Sequence, residues 1–321
     1  MASVPTFADV LQAAGRLHGH AVRTPLLRSP AIDALAGCEV HAKAECLQHV
    51  GAFKYRGARN RLAAMSEVER ARGVVAFSSG NHAQGVARAA RELGIDAVIV
   101  MPHDAPQVKV DGVLSDGARI IGYDRALESR EDIAATIAAR DGRTVVPSYD
   151  DPHIIAGQGT VGLEIVEDGP AFDAVVVCMG GGGLCAGISL AVQALSPRTR
   201  IFGAEPQGYN DHQMSLAAGH RVALQDPPPT LCDAVMTPTP GELTWQINSR
   251  SLRGVFDVSD EDCLLAMRLA HEHYGVTLEP GGAVALAAVV TARLPEDVRR
   301  VAVTLSGGNV DAAVLARALC G

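Results

Sequence analysis

The sequence lacks the features that would place it in several common classes of protein. Its seven cysteines include no Cys-x-x-Cys pair, so the pattern predicts neither a disulfide framework nor a zinc knuckle. No apolar run reaches membrane-spanning length, and the N-terminal segment lacks a basic region followed by an apolar core. No basic block occurs, and the formal net charge of -8 argues against nucleic acid or an anionic membrane as a partner. A small molecule is the expected partner, and the cytoplasm is the expected location.

The composition and the hydrophobic pattern predict an α/β fold. Of the 321 residues, 48% are hydrophobic, which is enough for a sizeable core in two domains or in one large α/β unit. Short β-branched segments alternate with helical patterns, among them 82–94, which ends at Gly94, and 129–142, which starts with a Ser-x-x-Asp box. Near-continuous apolar strands need helices on both faces, so we predict doubly wound, mainly parallel sheets. The predicted strands are 73–78, 97–101, 118–123, 174–178 and 300–306.

Four consecutive glycines, Gly180 to Gly183, lie between a predicted strand and a predicted helix. Bare backbone N–H groups at a helix N-terminus bind phosphate, and this is the interpretation we favour. The same segment also fits a dinucleotide fingerprint, with Glu205 as the acidic residue at the end of the next strand. A nicotinamide-dependent dehydrogenase therefore remains open, as does a turn that only lets helix and strand approach.

A second candidate is Lys54, which follows Phe53 in a short segment between Gly51 and Gly57. An amine held among apolar groups has a lowered pKa and can form a covalent imine with a carbonyl compound. Most lysines are exposed, so a plain surface lysine is the alternative when the residue is considered alone.

Three further segments carry polar side chains at predicted turns. Residues 78–85 contain a strand-to-helix turn that could clamp a carboxylate, although its polar residues could also only cap the helix. Glu279 precedes a Gly-Gly turn into an apolar helix, and Ser306 precedes a Gly-Gly pair after the last predicted strand. The proline-rich segment 226–241 is long and poorly periodic, which predicts a loop beside the active site or an interface.

Taken together and in order, the segments around Lys54, Ser78–Asn81, Gly180–Gly183, Glu279 and Ser306 resemble those of the fold type II pyridoxal-phosphate enzymes. The set is similar to the serine/threonine dehydratase and serine racemase family over nearly the whole chain, from 24–27 to 306–311. The resemblance implies a tryptophan-synthase-β-like fold. It further implies a large cofactor-binding domain of residues 1–49 and 148–321, a small mobile substrate-side domain of 50–147, and a homodimer.

The resemblance also implies how pyridoxal 5'-phosphate would be held. Lys54 would carry the cofactor covalently, Phe53 would lie against its ring, and Asn81 would bond the ring hydroxyl. The amides of Gly180, Gly181, Gly182 and Gly183 would bind the phosphate. Ser306 would contact the pyridine nitrogen, and Glu279 would belong to the same cofactor-binding set.

By the same resemblance, the turn after the first predicted strand would hold the substrate α-carboxylate. Ser79 would also be catalytic, because in racemase members the residue at this place can reprotonate the substrate from the side opposite the lysine. The implied substrate-binding residues of this turn are Ser78, Ser79, Gly80, Asn81 and His82.

These roles favour one class of reaction. The neutral hydroxyl of Ser306 cannot keep the pyridine nitrogen protonated, which favours prompt β-elimination over reactions that need a long-lived carbanion. We therefore predict dehydration and deamination of a β-hydroxy-L-amino acid to a 2-oxo acid and ammonia. A serine or aspartate-type racemase is the alternative within the family. A nicotinamide dehydrogenase and a catalytically silent ligand-binding protein are the alternatives outside it.

Two further roles are implied at positions outside the five segments. Glu205, the backbone carbonyl of Tyr209, and Asp211 would hold Mg²⁺, Mn²⁺ or Ca²⁺, although the two acids could also be ordinary loop and cap residues. Arg130 would approach a substrate β-carboxylate, which makes 3-hydroxyaspartate the favoured substrate. The alternative for Arg130 is a solvated side chain, or one paired with Glu128, in the first turn of a charged helix.

Overall fold

The structure is a computed structural model that describes residues 3–78, 80–105, 107–291 and 294–320. Within these ranges the chain forms ten strands and fourteen α-helices, and the strands belong to two sheets. The strands are β1 (Leu26–Leu27), β2 (Glu39–Lys43), β3 (Val74–Phe77), β4 (Ala97–Pro102), β5 (Arg119–Tyr123), β6 (Thr144–Val145), β7 (Ala174–Cys178), β8 (Arg200–Pro206), β9 (Leu252–Val258) and β10 (Arg300–Thr304).

The helices cover the sheets. They are α1 (Phe7–Leu17), α2 (Pro30–Ala36), α3 (Lys54–Ala63), α4 (Glu67–Arg72), α5 (Asn81–Leu93), α6 (Gln107–Ser115), α7 (Arg130–Asp141), α8 (Pro152–Asp168), α9 (Gly183–Leu195), α10 (Asp211–Ala218), α11 (Glu242–Ser251), α12 (Asp260–Tyr274), α13 (Pro280–Val290) and α14 (Ala312–Cys320). In the part of the chain that the structure describes, no helix is both long enough and apolar enough to span a bilayer.

The six-stranded sheet has the order β1-β2-β10-β7-β8-β9. Only the β1–β2 pair is antiparallel, and the other pairs are parallel. The late strand β10 lies inside the sheet, where Val301 faces Val40 on one side and Ala174 on the other. The largest apolar core forms around this sheet and includes buried side chains of α12 and α13.

The four-stranded sheet is parallel throughout and has the order β5-β4-β3-β6. Alternate residues of a strand point to opposite faces, and the two faces of β3 join different cores. Val74 and Ala76 pack in a core with α5, whereas Val75 packs in a core with Ile137 of α7. Helices therefore cover both faces, which confirms the doubly wound α/β prediction.

The predicted helix ends are also present. Gly94 after α5 and Gly142 after α7 both adopt the left-handed conformation that ends a helix, with φ of 66° and 69°. The Ser129 side chain accepts a hydrogen bond of 3.2 Å from the backbone of Asp132 and so caps α7.

The four-stranded sheet falls entirely within 50–147, the predicted small domain. The exact boundaries and the mobility of that domain stay predictions. Helix α3 lies inside the same range, yet it packs against α8 as well as against α5.

A buried ionic cluster joins α3 to the six-stranded side. The Arg56 guanidinium donates to both oxygens of Glu45, each at 2.8 Å, and to Glu164 at 2.6 and 2.8 Å. Lys43 of β2 also reaches Glu164, at 2.5 Å. Two cations and two carboxylates thus neutralise one another where water is excluded.

Candidate active site

A cavity lies where strands of both sheets end. Ser78 follows β3, Cys178 ends β7 and Ser306 follows β10, and all three line this cavity. Most predicted cofactor and substrate residues line it as well, namely Phe53, Lys54, Ser78, Gly80, Asn81, His82, Arg130, Gly180, Gly181, Gly182, Gly183 and Ser306. Ser79, the predicted second catalytic residue, lies outside the described residues. The structure therefore collects in one cavity residues from five separate parts of the sequence.

Lys54 is the first residue of α3, and its amine lies in the cavity. Its Nζ donates to the carbonyl oxygen of Ser148 at 2.9 Å and lies 5.2 Å from the centre of the Phe53 ring. Burial lowers the pKa of Lys54 to about 8, against weaker opposing effects of Cys178 and Glu279. An appreciable fraction of this amine is uncharged near neutral pH, and the uncharged form is the nucleophile.

The chain has only three lysines, and the other two differ from Lys54. Lys43 is held by Glu164, and Lys109 by Asp233 at 2.7 Å. Among the described residues, the hydrogen-bond partner of Lys54 is a neutral carbonyl and not a carboxylate. Lys54 is therefore the lysine whose amine is most easily released for chemistry.

The glycine loop connects β7 to α9, and its backbone is fixed by α11. The carbonyl of Gly181 accepts from the Thr244 hydroxyl at 2.6 Å, and that of Gly182 accepts from the Asn248 amide at 3.1 Å. In a trans peptide the N–H points opposite to the carbonyl, so the amides of Gly182 and Gly183 point away from α11. Gly182 has φ of +87°, which suits glycine alone. The loop and the first turn of α9 form an anion-binding arrangement.

Asn81 begins α5, and its carboxamide is held on both edges. Its Nδ2 donates to Oε1 of Glu279 in a short, buried hydrogen bond, and its Oδ1 accepts from Nδ2 of Asn309 at 2.8 Å. Glu279 itself lies outside the cavity lining. Burial and the charge of Asp233 raise the pKa of Glu279 to about 7.

His82 and the preceding turn complete the start of α5. Nε2 of His82 bonds to the backbone carbonyl of Val146 at 3.0 Å. Burial and the nearby Lys54 lower the pKa of His82 to about 3, so the ring is neutral at physiological pH. Gly80 at the N-cap brings no side chain, which leaves the N–H groups of this helix end available to an anion in the cavity.

Ser306 lies beside Cys178 at the bottom of the cavity. Burial raises the pKa of Cys178, and hydrogen bonds with Ser306 and Thr304 oppose that rise. Cys178 is therefore a protonated thiol, and the Ser306 hydroxyl brings no charge of its own to this part of the cavity.

Arg130 lines the cavity from the first turn of α7. Its guanidinium pairs with Glu131 at 2.9 Å, not with Glu128, and lies 5.6 Å from the centre of the Phe77 ring. The side chain is 44% exposed and is thus free to turn toward a ligand.

The sequence analysis missed Lys109, which lines the cavity from α6. Its ammonium is almost fully buried and forms an ion pair with Asp233, which lies in the proline-rich loop. That loop was expected beside an active site, and its residues 233–237 do line the cavity. Nothing in the sequence around Lys109 distinguishes it from a surface lysine of a helix.

The three predicted cation ligands lie elsewhere, at the end of β8 and the start of α10. Glu205, Asp211 and His212 form a buried group whose ligand atoms lie within 4.8 Å of one another. Both carboxylate oxygens of Asp211 are buried and lack a hydrogen-bond partner among the described residues. Burial and the Glu205 charge raise the pKa of Asp211 to about 9. His212 was not predicted, and its Nδ1 lies 3.0 Å from Glu205.

A buried lysine and an anion-binding glycine loop, brought together on two mainly parallel sheets, are the arrangement of a pyridoxal-phosphate enzyme with the tryptophan-synthase-β-like fold. A model of the family described as pyridoxal-phosphate dependent enzyme matches residues 17–307. The chain belongs to this family. The nicotinamide dehydrogenase that the glycine fingerprint left open is therefore set aside.

Relatives and solved structures agree with this assignment. The chain is 43% identical over 306 residues to an L-threo-3-hydroxyaspartate ammonia-lyase of a Pseudomonas species, with 95% of this chain and 96% of that protein covered. It is 39% identical over 308 residues to a serine racemase of Schizosaccharomyces pombe, with 96% and 95% covered. The structure of maize serine racemase matches with a TM-score of 0.94 at 36% identity, covering 99% of this chain and 98% of that chain.

Proposed function

We propose that this protein is a hydroxy-amino-acid ammonia-lyase that converts a β-hydroxy-L-amino acid, with 3-hydroxyaspartate as the favoured substrate, into a 2-oxo acid and ammonia. The observation that carries the proposal is Arg130, a cation that lines the same cavity as the reactive amine of Lys54. A guanidinium beside the amine suits a dicarboxylic amino acid better than serine or threonine, whereas Lys109 is already paired with Asp233 of the same lining. The ammonia-lyase relative supports the same substrate.

The residues of the cavity fit pyridoxal 5'-phosphate. Lys54 would hold it covalently, the amides of the glycine loop would bind its phosphate, and Asn81, Phe53 and Ser306 would contact its ring. The cavity offers one group for each part of the cofactor. The amine of Lys54 is available for the covalent bond, the glycine start of α9 for the phosphate, and the neutral hydroxyl of Ser306 for the ring. When bound, the cofactor stabilises negative charge on the substrate α-carbon.

The side chains and backbone of the protein would bind the substrate α-carboxylate and transfer the α-proton. The start of α5, with Ser78 and Gly80, receives the α-carboxylate, as helix N-termini do for anions. The amine of Lys54, with its lowered pKa, removes the α-proton. Neutral His82 does not act as an acid, and its bond to Val146 fixes the turn in place. Ser79 is proposed to face the opposite side of the substrate.

The substrate preference is tested by following ammonia release from 3-hydroxyaspartate, L-threonine and L-serine. We expect hydroxyaspartate to have the highest kcat/KM. Replacing Arg130 with alanine should lower that value about 10- to 100-fold while changing serine turnover little, because only the dicarboxylic substrate loses a charged hydrogen bond. Arg125→Ala is the matched control, since Arg125 pairs with Asp104 on the surface. Equal losses for the two substrates in Arg130→Ala would rule out the β-carboxylate contact. No ammonia from any substrate would rule out the function.

The serine racemase relative favours a second activity, racemisation at the α-carbon. The same assay distinguishes the two activities, because a racemase converts L-serine mainly to D-serine, whereas a dehydratase yields pyruvate and ammonia.

We further propose that Glu205, Asp211 and the carbonyl of Tyr209 hold a divalent cation. The two oxygens of Asp211, which accept no hydrogen bond among the described residues, support this, because a buried carboxylate without hydrogen bonds is costly and a cation would satisfy it. Chelation should lower the melting temperature, and added Mg²⁺, Mn²⁺ or Ca²⁺ should restore it. At a free cation concentration of about 100 times Kd, binding should raise the free energy of unfolding by about 2.7 kcal/mol. Asp211→Asn should abolish the response, whereas Glu272→Gln, on the exposed side of α12, should retain it. A melting temperature that no cation changes would contradict the site.

We also propose that the protein is a cytoplasmic homodimer, the common state of small enzymes of this type. Light scattering of the purified protein measures the oligomeric state directly, and a monomer mass would contradict the dimer.

A further inference from the structure

One backbone carbonyl, two carboxamides and one carboxylate form a continuous chain of hydrogen bonds beside the cavity. Nδ2 of Asn309 donates to the carbonyl of Val50 and to Oδ1 of Asn81, both at 2.8 Å. Nδ2 of Asn81 in turn donates to Oε1 of Glu279. These four groups are called the carboxamide relay below. They connect the segment before Lys54 to the start of α5.

The direction of every bond in the carboxamide relay follows from its first member. A backbone carbonyl only accepts, so Asn309 must present its NH₂ group to Val50. The second hydrogen of that NH₂ group points to Asn81, whose Oδ1 must therefore accept the hydrogen bond. The NH₂ group of Asn81 is thereby placed on the side of Glu279, and its second hydrogen remains for another acceptor.

The beginning of the relay is a strained residue. Val50 has φ of 56° and ψ of 19°, in the left-handed region that β-branched residues rarely adopt. Such a conformation persists where surrounding contacts hold it. The bond from Asn309 is one of these contacts, and the antiparallel bridge between Ala52 and Gly307 is another.

The end of the relay needs close approach of a backbone. A Cβ on Gly307 would lie 2.2 Å from Oε1 of Glu279 and 3.0 Å from Nδ2 of Asn81. Only glycine leaves room for the Asn81–Glu279 hydrogen bond at this position. One short segment thus has three functions. Ser306 lines the cavity, Gly307 leaves room for the Asn81–Glu279 hydrogen bond, and Asn309 sets the direction of the bonds in the carboxamide relay.

We propose that Asn309 is a positioning residue that fixes which edge of the Asn81 carboxamide faces the bound cofactor. Asn309 acts through Asn81, which would donate its remaining hydrogen to the ring hydroxyl. The inference rests on the proposed function, because the cofactor contact of Asn81 belongs to that proposal. With Asn81 reversed, an oxygen would stand where the donor stood, and the oxygen of the ring hydroxyl would lose the N–H group that donates to it.

The test reverses the two hydrogen bonds of the Asn81 carboxamide, while the bond to the Val50 carbonyl is lost in every variant that carries Asn309→Asp. In Asn309→Asp the side chain has no donor, so Asn81 must turn to give its NH₂ group to Asp. Adding Glu279→Gln supplies an NH₂ group to the reversed oxygen of Asn81. The double variant thus restores the Asn81 hydrogen bonds with the opposite direction, whereas Glu279→Gln alone keeps the original direction because a Gln oxygen accepts the same bond.

Three quantities are measured for each protein: the melting temperature, the apparent Kd for added pyridoxal phosphate, and the absorption maximum of the loaded protein. For Asn309→Asp we expect a lower melting temperature and a Kd raised about tenfold, the equivalent of one lost hydrogen bond to a charged or polarised group. In the double variant the melting temperature should recover toward wild type, while Kd and absorption maximum stay as in Asn309→Asp. Glu279→Gln alone should raise Kd less than Asn309→Asp does.

The outcomes separate positioning from simple structural support. If Kd recovers together with the melting temperature in the double variant, Asn309 serves stability only and the inference is wrong. An Asn309→Asp protein with wild-type Kd and spectrum would also overturn it. Wild-type protein that binds no pyridoxal phosphate would instead overturn the proposed function, and the inference with it.

Discussion

Replacing Lys54 with alanine should lower the rate of ammonia release about 10⁴-fold or more. It should also remove the absorption at about 410 nm that the protein loaded with cofactor should show. Two losses coincide in this variant, because the same amine is proposed to hold the cofactor and to remove the α-proton. The neighbouring cations cannot replace it. Lys43 and Lys109 are each held in an ion pair with a carboxylate, whereas among the described residues the amine of Lys54 is not.

The small number of lysines makes this prediction easy to check. Reduction of the loaded protein with borohydride, followed by peptide mass analysis, should place the cofactor on Lys54 alone. Lys54→Arg is the matched variant, because it keeps a cation at the start of α3 but cannot form the imine. It should fold like wild type and show neither the absorption nor the turnover. Label on Lys43 or Lys109, or normal turnover in Lys54→Ala, would contradict the assignment.

Replacing Arg56 with alanine should lower the free energy of unfolding by about 3–5 kcal/mol, the cost of leaving buried charges without their partner. Glu45 and Glu164 would then share Lys43 as the remaining cation of the cluster. Burial alone would raise the pKa of Glu45, but the charge and hydrogen bonds of Arg56 outweigh it and hold that pKa below 4.5. Urea unfolding at neutral pH measures the loss.

The pH dependence of the difference in free energy of unfolding between wild type and Arg56→Ala is a second test of the same cluster. A carboxyl group with a lowered folded-state pKa stabilises the protein above its unfolded pKa, and this contribution disappears as the pH falls through the folded value. The gap between wild type and Arg56→Ala should therefore narrow as the pH falls below 4.5 through the lowered pKa of Glu45. Arg23→Ala is the control, since the exposed Arg23 pairs with Glu167 and Asp168 and should cost under about 1 kcal/mol. Equal losses for the two arginines would contradict a special role of the buried cluster.

The sequence predicted the elements that depend on local pattern. The runs 97–101 and 174–178 became β4 and β7, because continuous apolar, β-branched residues suit a strand covered on both faces. Gly94 ended α5 because glycine alone adopts the left-handed conformation without cost. The family resemblance added what local pattern could not, namely that the separated segments of Lys54, Asn81, Gly180–Gly183 and Ser306 would line one cavity, with Glu279 bonded to Asn81 beside it.

What the sequence could not reveal depends on long-range packing. Lys109 is an ordinary helical lysine until the fold brings Asp233 to it, and His212 joins the acids only through the turn after β8. Likewise, Arg56 has the sequence context of a surface cation in a polar helix, and only the packing of α3 on α8 and the bonds to Glu45 and Glu164 place it in the interior. The roles of Lys109 and Arg56 depend on partners far along the chain, Asp233 and Glu164, for which a single sequence gives no signal.

The central position of β10 has a consequence for how the protein is made. While the chain emerges from the ribosome, β2 and β7 cannot close the six-stranded sheet, because the strand that pairs with both is the last of the described strands to be synthesised. Two apolar edges stay unpaired during that time, and such edges are prone to pair with other chains. Asn309, which binds Val50 across 259 positions of sequence, arrives later still. The cofactor site that we propose is therefore incomplete until β10 and the segment with Asn309 have been synthesised and have paired with the earlier strands.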